Sequence, residues 1–142
     1  MTKRIHRPIL LLTLAFSLFA CTRGNGLPDQ LLAHLASRGI KVESLRIHAP
    51  YSSRGGYVVA RYDEAAAKAI VTTFQLRKIG PDDPQWKFAM VQAGGGTVPS
   101  ELYGLTGRPE QFKLANGGQL EYFYLLVTDE GLMYLVAEYA YS

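Results

Sequence analysis

Apolar positions along the chain keep three rhythms. Residues 8–20 are a mostly apolar run without a charge. Two later stretches repeat at helical spacing: Leu31, Leu32, Leu35 and Ala36, then Ala66, Ala67, Ile70 and Phe74. Pro28 suits a first helical position, and Gly39 followed by Ile40 makes a helix stop, so a helix is expected over 28–38. Asp63 is a good N-cap, Glu64 suits the first turn and lies four residues before Lys68, and a second helix is expected over 64–74. The remaining apolar stretches read as strands: 40–48 with a phase break near Glu43 and Ser44, 57–62, 76–79, 85–92, 111–115, 120–127 and 132–141. Trp86, Phe88 and Met90 alternate with Lys87, Ala89 and Val91, which is the ground for the strand at 85–92. Residues 49–56, 80–84 and 93–99 are turn-rich connections, and 100–105 fits a single helical turn.

The C-terminal third is patterned most clearly. Asn116-Gly117-Gly118 and Asp129-Glu130-Gly131 are hairpin turns. Between them, 120–127 is largely apolar on both faces, with Leu120, Tyr122, Tyr124 and Leu126 on one and Glu121, Phe123, Leu125 and Val127 on the other. Such a strand belongs in the middle of a sheet. The expected fold is α+β: a mostly antiparallel sheet of five to seven strands, two helices on one face, and a Tyr-rich C-terminal β-hairpin.

The N-terminal run obeys other physics. Lys3, Arg4 and Arg7 precede it, and thirteen helical residues span only about 20 Å, short of the ~30 Å apolar core of a bilayer. It therefore reads as a signal peptide. Leu18-Phe19-Ala20-Cys21 closes the run and resembles the lipobox of bacterial lipoprotein precursors. The resemblance covers the first 21 residues; no family is recognised for 22–142. It implies cleavage before Cys21 and lipidation of that residue, with palmitate-type acyl chains anchoring it to a membrane. Thr22 stands where an Asp would favour inner-membrane retention, so the expectation is a cell-envelope protein on the outer membrane, facing the periplasm. The domains follow: 1–20 signal peptide, 21–27 lipidated Cys21 and short tether, 28–142 one globular domain.

Charge and composition then narrow the function. The net charge of +3 comes from the three cations of the signal segment, which leaves twelve Lys and Arg against twelve Asp and Glu. That balance, with no basic run, argues against nucleic acid. Apolar residues at 48% with 19% charged describe a globular chain. One Cys permits no internal disulfide and no thiolate site in the domain. His34, at the edge of the first helix's apolar stripe, and His48, at a strand end, lack partners at metal-ligand spacing. Asp82-Asp83 reads as a turn cap, and Gly94–Gly96 lacks the Lys and Ser/Thr of a phosphate loop. No catalytic, cofactor or metal residue is expected, and the domain is read as a non-enzyme.

All nine tyrosines lie after Cys21, five of them at 122, 124, 134, 139 and 141. The Tyr-rich face of 120–127 needs a cover: a second layer, a loop or a partner. Tyr122, Tyr124 and Tyr134 are thus the candidate partner-binding residues, with a place in the core as the other reading. The functional expectation is a non-catalytic protein-binding or assembly factor of the bacterial envelope. The alternative is a periplasmic inhibitor or immunity lipoprotein that blocks a hydrolase or toxin through a protruding loop, 49–56 or 93–99.

Overall fold

The computed structural model describes residues 26–49, 54–105, 113–114 and 117–140. Among these residues nine elements follow in order: α1 Leu27–Ser37, β1 Ser44–His48, β2 Gly55–Arg61, α2 Glu64–Phe74, β3 Leu76–Ile79, α3 Pro84–Gln92, β4 Glu101–Leu105, β5 Leu120–Val127 and β6 Leu132–Tyr139. The strands form one sheet in the order β1-β2-β6-β5-β4-β3, with every neighbouring pair antiparallel. The fold is α+β.

The helices form where their end chemistry and apolar stripes agree. α1 starts with Pro28 in its first turn and buries Leu27, Leu31 and Leu35. It ends as Gly39 turns left-handed (φ +76°), and the amides of Gly39 and Ile40 donate to the carbonyls of Ala36 and Leu35, both at 3.0 Å. Ile40 is buried at this cap. In α2, the Asp63 carboxylate accepts from the Ala66 amide at 3.0 Å, and Ala66, Ala67, Ile70 and Phe74 face inward. Both helices cover the same face of the sheet, packing on Val58, Ala60, Phe123, Leu125, Met133 and Leu135. Two small alanines on α2 let that helix sit close to the strands.

The opposite face holds a second core of Val59, Ile79, Leu102, Tyr124, Leu126, Tyr134 and Val136. Its cover is α3. Residues 85–92, expected as a strand, are helical: Asp83 caps through its carboxylate to the Gln85 amide at 2.9 Å, and Pro84 occupies the first turn. Three alternating apolar residues also fit a helix, and the cap with proline decides between them. Asp83 thus caps the helix that follows the turn, rather than the turn itself.

Three further differences concern strands. Residues 101–105 form β4 rather than a helical turn, because Leu102 and Gly104 pair inward against Leu126 and Tyr124 of β5. The first strand begins only at Ser44, where the phase break is a bulge between Ser44 and Arg46. A second bulge between Leu120 and Tyr122 moves Leu120 to the α1/α2 face, away from Tyr122, Tyr124 and Leu126. The remaining residues of β5 alternate as the pattern requires, and Gly131 closes the β5–β6 turn in the left-handed region (φ +79°). The strand expected at 111–115 lies mostly outside the described residues; Lys113 forms a bridge with Gln119.

Candidate functional site

The hairpin tyrosines meet α3. Its Gln85, Phe88 and Gln92 lie on one stripe. Tyr124 donates its hydroxyl to Gln85 Oε1 at 3.2 Å, and Tyr122 donates to Gln92 Oε1 at 3.1 Å. Phe88 stands edge-on to both rings, with centroids 5.1 Å from Tyr122 and 6.0 Å from Tyr124. The Tyr124 ring crosses the strand pair onto Gly104. A Cβ there would come within 3.0 Å of the ring and 2.6 Å of Ile79 Cδ1. Tyr134, opposite Leu126, packs against Tyr57 with centroids 6.0 Å apart. Tyr124 and Tyr134 are 5% and 7% exposed, so the chain itself supplies most of the cover that their face needs.

Only Tyr122 keeps a partial exposure, beside the exposed Phe88 and Val91 of α3. Burial, and then the Glu138 carboxylate across the strand pair, hold its phenol far above the ordinary range. Burial followed by Asp83 raises that of Tyr124. Both stay protonated at neutral pH and act as hydrogen-bond donors.

A different set of side chains forms a cleft. Between α2 and the end of the sheet lies a cavity of about 450 Å³, walled by Tyr62, Ala67, Val71, Glu101, Tyr103 and Val127, with Glu64, Lys68 and Thr72 on the helix side. Tyr62 leaves β2 and turns outward, its amide donating to the Gly131 carbonyl at 2.9 Å. Tyr103 and Glu101 are alternate residues of β4 on one face, and the Tyr103 hydroxyl donates to Glu101 Oε2 at 3.0 Å. Lys78 Nζ, on β3, lies 3.7 Å from the same carboxylate. Burial, then the hydrogen bond and charge of Glu101, raise the Tyr103 phenol. Apolar walls with a few oriented oxygens suit recognition of a mixed apolar and polar segment.

The sequence reading passed over this cleft. Taking 100–105 as a helical turn separated Glu101 from Tyr103, whereas the alternation of a strand puts both on one side. An N-cap Asp63 directly after Tyr62 was the available signal that this ring stands at a strand end beside a helix start.

His34 is not an edge residue. It is 5% exposed between α1 and α2, its ring 5.6 Å from Phe74, which stacks on Phe123 at 4.5 Å. Its Nδ1 has no hydrogen-bond partner. Burial, then the charge of Arg38, lower its pKa, and the ring is a neutral part of the core. His48 stacks on Tyr57 at 4.8 Å near the open edge of the sheet.

Among the described residues no three His, Cys, Asp or Glu side chains gather as a metal site, and no helix is long and apolar enough to cross a membrane. Cys21 and the loop residues 50–53 lie outside the described residues. In the 93–99 loop, Gly94 packs against the Tyr57 hydroxyl and Val98 is 73% exposed. The fold and cleft together define an α+β domain with one central antiparallel sheet covered on both faces. No protein-family model, curated protein or solved structure matches the chain.

Proposed function

We propose that this chain is an envelope lipoprotein, anchored through Cys21, whose domain is a non-catalytic module that binds a protein partner in the α2–β4 cleft. One observation carries the reading. Gly26, where the tether enters, abuts Ala49 at the end of β1, while the cleft opens at the other end of the sheet, beyond Arg61 and Val127. Seven residues of β2 separate the two ends by about 20 Å. An anchor at Cys21 would thus hold the domain from the end opposite the cleft, which supports a cleft open to a protein of the periplasm. Two tyrosines at its mouth provide the apolar body and polar tip common at protein interfaces.

The test has two parts. Cys21→Ser abolishes palmitate labelling and leaves unprocessed precursor; labelling equal to the unaltered chain refutes the anchor. A photo-crosslinking residue at Tyr62 or Tyr103 captures one protein in the native envelope, and Glu101→Lys in the same background removes that product. Capture of the same protein from Val91, on the exposed side of α3, with none from Tyr62 or Tyr103, refutes the cleft.

A further inference from the structure

The open edge of the sheet carries a second surface. β1 pairs with β2 on one side only, and all five of its residues are exposed. Leu45 and Ile47, alternate residues of β1, are 49% and 42% exposed on one face of that strand. Arg46 lies between them in sequence but on the other face of the strand, its guanidinium carbon 6.0 Å from the centre of the Tyr57 ring, and His48 stacks on that same ring. The bulge between Ser44 and Arg46 disrupts the regular ladder at this edge, which discourages another strand from pairing there.

The charge on β1 itself has one sign. Its five residues carry Arg46 and His48 and no Asp or Glu, whereas Arg61, at the far end of β2, is paired with Glu43 at 3.4 Å.

The tether decides which surface this edge meets. Gly26 abuts Ala49, the residue after His48. From Cys21 to Gly26 the chain spans at most about 18 Å, comparable with the length of a five-residue strand.

Resting on the anchor proposed above, we infer that the β1 edge is a membrane-docking surface: Leu45 and Ile47 enter the headgroup region of the bilayer, and Arg46 pairs with anionic phospholipid headgroups. Lying on β1, the domain places four strands between the lipid and β4, about 19 Å at strand spacing, so Glu101 and Tyr103 stay clear of the bilayer.

The lipidated full-length protein tests this, because Cys21 has no free thiol once acylated and an introduced Cys is then the sole labelling site. Ile47→Cys, Leu45→Cys and Glu130→Cys each receive an environment-sensitive fluorophore. Each is reconstituted on vesicles of phosphatidylcholine alone or with phosphatidylglycerol, with a quencher carried on the lipid headgroup. The expected result is strong quenching and a blue shift at positions 45 and 47 on the anionic vesicles and neither at position 130. Arg46→Gln should weaken docking about fivefold, the effect of about 1 kcal/mol per basic residue at an anionic surface. Equal quenching at 47 and 130 on anionic vesicles that carry the protein overturns the docking surface and leaves the anchor standing. Quenching at 47 that is the same on neutral lipid and indifferent to Arg46→Gln overturns the role of anionic headgroups. Failure of the chain to float with vesicles refutes the anchor and the docking surface with it.

Discussion

Replacing Tyr124 with Ser separates a core residue from an interface residue, and the structure makes the outcome quantitative. The ring is 5% exposed, packs on Gly104, meets Phe88 edge-on, and is tied through its hydroxyl to Gln85. A buried tyrosine removes on the order of 150 Å² or more from water, which at ~25 cal/mol per Å² is about 4 kcal/mol as an upper bound. Truncating buried aromatics typically costs ~3–5 kcal/mol, the cavity included. The loss is not confined to the ring, because Gln85 and Phe88 hold α3 to the sheet through it. For a domain of this size each kcal/mol lowers the melting temperature by about 3–5 °C, so Tyr124→Ser should melt about 10–20 °C below the parent. Tyr122→Ser, at a half-exposed position, should lose well under half of that. Thermal melts followed by circular dichroism, with urea titrations to confirm an unchanged slope, measure both. A Tyr124→Ser midpoint within about 3 °C of the parent would refute the account, since α3 would then not be the cover of this face.

Gly104→Val should destabilise by about 1–3 kcal/mol through overpacking, because its side chain must displace Ile79 and the Tyr124 ring together; partial recovery in the Gly104→Val, Tyr124→Leu double variant would identify that clash, and simple additivity in urea melts would reject it. His34 gives a pH dependence of definite sign. Its pKa in the fold lies below 6.5, so the unfolded chain binds the proton more readily. Stability is full above about pH 6.5 and falls as the pH drops from there to the folded pKa. His34→Leu should flatten that part of the profile, and urea midpoints at pH 7.5 and 5 that shift equally in both proteins would assign the effect elsewhere.

Much of this architecture was legible from local pattern. α2 was readable to the residue because Asp63, Glu64 and the stripe Ala66, Ala67, Ile70 and Phe74 all specify the same helix. β5 was readable as central because both its faces are apolar, and its turn to β6 because Gly131 alone suits the left-handed closing position. These are local decisions, made within a few residues of chain. The proposed signal segment and lipidated Cys21 rest on the same kind of local pattern, a short charge-free run closed by the one Cys of the sequence.

Other decisions required partners distant along the chain. Residues 85–92 carry a pattern short enough for either element, and they are helical in a fold where their Gln85, Phe88 and Gln92 stripe meets two tyrosines thirty or more residues away. The bulge at Leu120 sent one residue of an alternating run to the opposite face, and periodicity contains no mark of where a ladder slips. β4 was hidden because its five residues become a strand only when β5 offers a place beside Tyr124 for a glycine. The cleft depends on that strand, since Glu101 and Tyr103 share a side only when extended, and Tyr62 reaches them only across the sheet end. The charge balance is silent on placement for the same reason: a sum over residues has no direction, and the antiparallel order of the strands alone separates Arg46 from Glu101.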